Sequence, residues 1–347
     1  MGNNKIIKTG LIGFGTGGEF FHAPFIHALE LFELMAILER TKEKSKERYP
    51  EARIVRTPEE LLSISEVELI VITTPNDTHF DLAQKSLEAG KHVVLDKPFT
   101  VTSQEAETLI RLAKKNNKVL TVYHNRRFHS DFRTLQNLLS KNALGEITEY
   151  LACFDRYRPE LRPNMWKEVE RPGAGILYDL GSHLIDQALV LFGKPLSISA
   201  ELKIERPGAK VTDFFEVILH YQNHKAILRS GMLVKQPGPI FRVTGTKATY
   251  TKYGIDPQEA MLRAGQMPKG TEWAKESEES WGELSADNTI NKVTPVYSDY
   301  RDFYRNVYGA IIFGEQLAVS PEQAAMVIRC IELAVQSSVE NKAKISL

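Results

Sequence analysis

At 347 residues, the chain exceeds the roughly 250 to 300 residues at which single cores stop growing, so two domains are expected. Its 44 Lys plus Arg balance 44 Asp plus Glu, which leaves no net field to hold a nucleic acid or an anionic membrane, and at 42% hydrophobic and 25% charged it reads as globular rather than disordered. Cys153 and Cys330 are too few for a disulfide framework, no apolar run approaches the length of a spanning helix, and Ile6 stands where a myristoylation signal needs Ser or Thr, so a cytoplasmic, unanchored protein is expected.

The first part of the chain alternates short apolar runs with amphipathic segments, the pattern of βαβ units and a parallel sheet. Ile6 to Ile12 is the first strand, followed by the turn GFGTGG, a helix carrying Phe20, Phe21, Phe25, Ile26 and Leu29, and a strand from Leu34 to Leu38. Glu68 to Thr73, the loop TPNDTH, a helix from Phe80 to Ala89 ended by Gly90, and the strand HVVLD continue the pattern. Thr102 and Glu105 form a capping box for the next helix, and Lys118 to Tyr123 returns as a strand.

Beyond Tyr123 the pattern changes. A helix with Leu135, Leu138 and Leu139 precedes alternating stretches read as antiparallel strands: EITEYLACF, LSISAELKI, DFFEVILHY, KAILRSGMLV, FRVTGT and ATYTKY. Gln222-Asn223 marks a hairpin. Asp256 to Pro295 reads as an ordered but irregular excursion, and two helices close the chain, the second capped by Ser320, Pro321 and Gln323. The expected fold is α/β: a doubly wound Rossmann domain over 1–123, then an α+β domain over 124–347 with a large, mostly antiparallel open sheet.

Gly13, Gly15 and Gly18 give G-x-G-x-x-G, with Phe14 and Thr16 between them, and the motif leaves a strand to open a helix. Gly13 would make the tight turn, Gly15 let the backbone approach a pyrophosphate, and Gly18 pack helix on strand, while free helix-terminal N–H groups receive the anion. Glu39, 21 residues beyond Gly18 at the end of the next strand, is the candidate for the ribose hydroxyls. A carboxylate there repels a 2′-phosphate, whereas neighbouring Arg40 could pair with one, so NAD and NADP both stay open with a slight lean to NAD.

Lys97, after Asp96, stands where ligands bind outside the carboxyl ends of parallel strands, although a lysine at a strand end is often only a solvated charge. Thr74, Pro75 and Asn76, with His79 in the same loop, leave a strand at that edge, as cofactor contacts or as simple turn chemistry. Asp179 and His183, four residues apart, share one face of a helix, an arrangement that makes a general base. An N-cap and a core histidine are the alternatives, and a metal pair lacks a third ligand beyond Asp186, so no metal is expected.

The order of Gly-rich turn, TPN loop, Asp-Lys-Pro and D-x-x-x-H resembles the Gfo/Idh/MocA oxidoreductases over essentially the whole chain, and NRRFHSDF, FDRYRPE, GILYDLGSHLIDQALVLFG and YGIDPQEA are similar to a bacterial subgroup of it. The resemblance implies a dinucleotide cofactor, a carbohydrate, polyol or inositol-like substrate, and a homodimer or homotetramer formed through the C-terminal sheet. It implies that Lys97 contacts nicotinamide ribose and substrate hydroxyl, that Asp179 and His183 belong to the catalytic set, and that the Lys97-Pro98 bond is cis. Asp96 stands where the family usually has Glu, one methylene longer. The expected chemistry is hydride transfer to nicotinamide from a secondary alcohol, with Arg156, Tyr157 and Trp166 as substrate contacts and the active site between the halves. An NAD-dependent glycosidase of the same fold and a non-catalytic dinucleotide sensor are the rivals.

Overall fold

The computed structural model describes residues 5–162 and 165–347, so the Met1-Gly2 start lies outside the described residues. The strands β1 (Ile7–Ile12), β2 (Phe32–Leu38), β3 (Arg53–Val55), β4 (Leu69–Ile72), β5 (His92–Leu95) and β6 (Leu120–Val122) make one sheet of order β3-β2-β1-β4-β5-β6. Every pairing in it is parallel. Leu69, Ile70, Val71 and Ile72 are buried on both faces of β4, which is why these strands read as continuous apolar runs rather than alternations. Strand order reverses between β1 and β4, and ligands of such sheets bind at the carboxyl edge of that switch point.

The helices of this part are α1 (Ala23–Ala28), α2 (Pro58–Leu62), α3 (His79–Glu88) and α4 (Ser103–Lys115). Gly90 takes φ +72° just past α3, and Thr102 with Glu105 closes the capping box of α4, both as expected. β3 and α2 had no sequence signal strong enough to name. α2 is short, and its start is set by Thr57, whose hydroxyl accepts from the Glu60 N–H at 3.1 Å.

Two compact units result. One holds residues up to 125 with 257–274 and 299–325; the other holds 126–256, 275–298 and 326–347. The chain thus crosses after Asn125 and then returns to the first unit twice, where the sequence suggested one crossing near Tyr123. Helices α5 (Ser130–Ser140) and α6 (Ser182–Phe192) belong to the second unit, α7 (Gln258–Arg263) and α8 (Arg301–Phe313) to the first, and α9 (Pro321–Val339) runs from the first into the second. Aromatic packing explains the second return: the Phe25 ring meets Tyr300 at 5.7 Å and the Tyr123 ring meets Phe303 at 4.8 Å. Such pairs add about 0.5 to 1.5 kcal/mol each beyond burial. The box of Ser320 and Gln323 ahead of α9 is formed.

The second unit is built on β7 (Ile147–Cys153), β8 (Ser197–Lys203), β9 (Phe214–His220), β10 (Lys225–Gly231), β11 (Phe241–Gly245), β12 (Thr249–Lys252), β13 (Glu283–Ala286), β14 (Thr289–Lys292) and β15 (Ile345–Ser346), in the order β14-β13-β12-β11-β7-β10-β9-β8-β15. Phe215, Val217 and Leu219 on β9 are buried while the residues between them are half-buried, the alternation of a sheet covered on one face. The strands are antiparallel with one exception: β10 runs parallel to β7, pairing Lys225 with Glu149 through Arg229 with Cys153. The β9–β10 hairpin is closed by the Tyr221 N–H to the His224 carbonyl at 3.0 Å. The stretch expected to be irregular contains α7 and a tight β13–β14 hairpin, whose turn residues Asp287 and Asn288 take φ of 47° and 63°. Among the described residues no helix is long and apolar enough to cross a membrane.

Candidate functional site

The glycine-rich turn begins where β1 ends. Gly13 takes φ +95°, a conformation that side chains rarely allow, and its N–H bonds the Leu38 carbonyl at 3.2 Å. A Cβ on Gly18 would lie 2.2 Å from the Gly13 carbonyl oxygen, so only glycine lets the following helix approach the strand. Thr73 Oγ1 ties the same turn to β4 by donating to the Ile12 and Gly13 carbonyls. A Cβ on Gly15 would meet nothing within 4 Å. The protein does not need glycine there, and Gly15 and Thr16 face open space, whereas Phe14 is buried edge-on to Tyr49 at 6.0 Å. That is a cradle open to a group outside the chain, at the N-terminal end of the following helix, and it fits a pyrophosphate.

The helix leaving this turn is not α-helical throughout. Residues Gly17–His22 form a wider π-turn, in which the Ala23 N–H reaches the Gly18 carbonyl five residues back. Pro24 follows in the first turn of α1, where its missing N–H is tolerated. Sequence spacing predicted a plain helix here; the extra residue of a π-turn does not show in apolar periodicity. Gly17, which the motif reading passed over, matters as well: a Cβ on it would come within 2.8 Å of Asp96 Oδ2.

Glu39 is nearly buried beyond β2, and its two carboxylate oxygens accept from the backbone N–H groups of Lys44 at 3.1 Å and Ser45 at 2.9 Å. Arg56 donates to the Glu39 and Lys42 carbonyls and so shapes the loop that leaves Arg40 exposed. In the loop after β4, the Thr74 and Thr78 hydroxyls meet at 2.6 Å and Asn76 is buried. His79 is fully buried, with its ring nitrogens facing the Pro98 carbonyl at 2.9 Å and the Thr74 carbonyl at 3.0 Å. It therefore joins the Thr74-Pro75 loop to the turn after β5, a bridging position rather than an open one.

That second turn carries Asp96, Lys97 and Pro98, and the Lys97-Pro98 bond is cis, as the resemblance implied. Asp96 Oδ1 accepts from the Lys97 N–H at 2.8 Å and faces His22 Nε2 at 3.9 Å. Burial works to raise the Asp96 pKa, but the facing His22 ring, Lys97 and His79 outweigh it and hold the carboxyl down at about 2. Lys97 is half-buried at the same edge.

In the second unit Asp179 lies in another π-turn, Leu177–Gly181, which runs directly into α6 with His183 in its first turn. The sequence reading placed both on one face of an α-helix; the structure puts Asp179 in the π-turn and His183 in the first turn of α6. Gly181 permits the turn, because a Cβ there would lie 2.9 Å from Leu177 Cδ1 and 3.4 Å from the Phe215 ring. His183 is buried, and half-buried Asp179 forms an ion pair with Lys167, a partner that nothing in the spacing announced. Asp186, once weighed as a third metal ligand, is instead held by Arg127 through two bonds of 2.8 and 2.6 Å, both side chains being buried. Of the candidate substrate contacts, Trp166 lies beneath the Lys167 ammonium at 5.6 Å and the Arg171 guanidinium at 5.7 Å. Tyr157 is exposed under Lys235, and the half-buried Arg156 is fixed through its N–H to the Gly231 carbonyl at 2.9 Å.

Comparison with known proteins agrees with this architecture. Residues 7–124 match the oxidoreductase family's NAD-binding Rossmann fold and residues 136–347 its C-terminal alpha/beta domain. The chain is similar to scyllo-inositol 2-dehydrogenase (NADP(+)) IolW of Bacillus subtilis, with 38% identity over 98% of this chain and 97% of that one. It is also similar to the oxidoreductase YdgJ of Escherichia coli, with 41% identity over 96% of each. The solved structure of the oxidoreductase yvaA from Bacillus subtilis superimposes over 100% of both chains with a TM-score of 0.95 at 36% identity. The chain belongs to the Gfo/Idh/MocA oxidoreductase family, as an enzyme with an NAD-binding Rossmann domain.

Proposed function

We propose that the protein transfers hydride between a secondary alcohol of a sugar, polyol or inositol-like substrate and a nicotinamide dinucleotide. The observation that carries this reading is the cradle left open above Gly15, with Lys97 at the carboxyl edge of the same sheet. The name of the scyllo-inositol dehydrogenase relative supports the substrate class. The backbone from Gly13 to Gly18, with Phe14 and Thr16, would hold the pyrophosphate, Glu39 and Arg40 the adenosine ribose, and the Thr74-Pro75-Asn76 loop with Asp96 and Lys97 the nicotinamide end. When bound, the nicotinamide supplies the hydride acceptor.

In the oxidative direction the His183 imidazole takes the proton from the substrate hydroxyl oxygen, and the Asp179 carboxylate stabilises the resulting imidazolium. Lys97 polarises the substrate oxygen, and Arg156, Tyr157 and Trp166 contribute to substrate binding, the Trp ring as an apolar platform. A panel of sugars, polyols and inositols, followed at the absorbance of reduced nicotinamide with and without added cofactor, tests the reading. Cofactor-dependent turnover supports it. Turnover without added cofactor and without net reduction indicates a glycosidase, and dinucleotide binding with no turnover of any compound indicates a sensor.

We assign the cofactor preference to NAD. The Glu39 carboxylate, fixed by two amides, opposes a 2′-phosphate, while exposed Arg40 would attract one and the IolW relative is named for NADP(+). Glu39→Ala should raise the ratio of kcat/KM for NADP over NAD, and Glu39→Gln should do so while keeping an acceptor for the loop. Removing one charge near a phosphate at an effective dielectric near 20 is worth about 2 kcal/mol, roughly a 30-fold change in that ratio. An unchanged ratio removes Glu39 from the specificity argument.

The second unit also supports self-association. Ile218, Ile227 and Leu151 are aligned across β9, β10 and β7 on the less buried face of the sheet, an apolar row suited to a second copy of the chain. A homodimer or homotetramer is the expected species in light scattering, and a monomer at assay concentration would remove this assignment.

A further inference from the structure

His22 is fully buried at the end of the first π-turn and belongs to no part of the dinucleotide motif. Its Nδ1 lies 2.7 Å from the Tyr304 hydroxyl, its Nε2 faces Asp96 Oδ1 at 3.9 Å, and its ring packs against Tyr123 at 4.4 Å with a 50° tilt. A tyrosine hydroxyl has one proton to give. The Asp96 carboxylate can only accept, so it favours the tautomer with hydrogen on Nε2, which leaves Nδ1 to accept from the Tyr304 hydroxyl, a group whose pKa burial pushes well up. Asp96 in turn has its other oxygen beside Gly17, at the N-terminal end of the π-turn where the pyrophosphate is expected.

We propose that His22 is the positioning residue of the Asp96-Lys97 turn. Oriented by Tyr304, it holds the Asp96 carboxylate in place beside Gly17 and thereby fixes the backbone from which Lys97 projects. This rests on the proposed dinucleotide chemistry and extends it to a residue that touches neither cofactor nor substrate. It also accounts for the shorter acid at position 96: Asp, seated over Gly17 and bonded to the Lys97 N–H, is short enough to remain beside the imidazole. The π-turn then has a purpose, since it is the segment that delivers His22 to this contact.

The test uses the full chain, with NAD and NADH binding measured by calorimetry alongside kcat and KM on a confirmed substrate. His22→Phe keeps an aromatic ring against Tyr123 but removes both nitrogens; it should weaken NAD binding about 5-fold and lower kcat about 10-fold with KM for the substrate nearly unchanged. His22→Gln restores a donor and an acceptor and should return both values to within about 2-fold of wild type. Tyr304→Phe, which removes only the hydroxyl, should move both in the same direction by a smaller factor, and it carries the test if His22→Phe does not fold. Wild-type binding and kcat in a folded His22→Phe protein overturn the proposal, as does loss of stability with kcat per folded molecule unchanged or no rescue by His22→Gln. If the wild-type chain itself binds neither dinucleotide, it is the functional reading that fails.

Discussion

His183→Ala should lower kcat in the oxidative direction by roughly 10²- to 10⁴-fold, the usual contribution of a positioned general base, while NAD binding stays within about 2-fold of wild type. The expected split follows from the role. Proton transfer from the substrate hydroxyl develops only in the transition state, so its loss falls on kcat and kcat/KM together and spares ground-state binding. His183 is buried in the first turn of α6, so truncation also leaves a cavity, and the measurement must be made per folded molecule. His183→Gln keeps most of the volume and isolates the chemistry. Asp179→Asn should show a smaller loss, because Asp179 acts on the imidazolium rather than on substrate and is also anchored by Lys167. Full wild-type kcat in folded His183→Ala would end the base assignment.

The parts of the molecule legible in the sequence are those whose physics is local. Gly13, Gly15 and Gly18 announced the turn because each position has a steric reason for lacking a side chain or an open space above it, and the Thr102–Glu105 box announced α4 because both hydrogen bonds lie within four residues. Continuous apolar runs identified the parallel strands for the same reason that they are buried on both faces. What stayed hidden depends on distant partners. Nothing near Lys225 says that β10 will lie parallel to β7, since the partner strand is some 75 residues away, and strand alternation is the same in either direction. The return of residues 299–325 to the first unit depends on aromatic contacts such as Phe25 with Tyr300 that no local window contains. Nothing in the sequence around Lys167 pairs it with Asp179, and only the folded loop brings the two together. The Asp287-Asn288 turn was legible in principle, because both residue types tolerate positive φ, but the surrounding charge and small residues masked the two short strands.

Gly15→Ala and Gly18→Ala should separate binding from folding within one motif. At Gly15 the added methyl meets no protein atom within 4 Å and the backbone is outside the positive-φ region, so Tm should remain at or slightly above wild type. The same methyl projects where the pyrophosphate would lie. Displacing that anion from two charge-assisted amide bonds costs about 3 kcal/mol, so NAD affinity should fall roughly 100-fold. At Gly18 the methyl meets the Gly13 carbonyl oxygen at 2.2 Å, a contact that cannot be tolerated, and the turn must open at the point where Thr73 Oγ1 holds it to β4. Stability should drop by about 1 to 3 kcal/mol, as for other overpacked sites, and binding should be lost along with it because the amides no longer converge. Thermal melts with and without NAD, together with calorimetric titration, read both quantities. Gly15→Ala with unchanged NAD affinity would show that the open space above Gly15 is not where the dinucleotide lies, whatever Gly18→Ala does, because of Gly13, Gly15 and Gly18 only Gly15 has its space left unfilled by the protein.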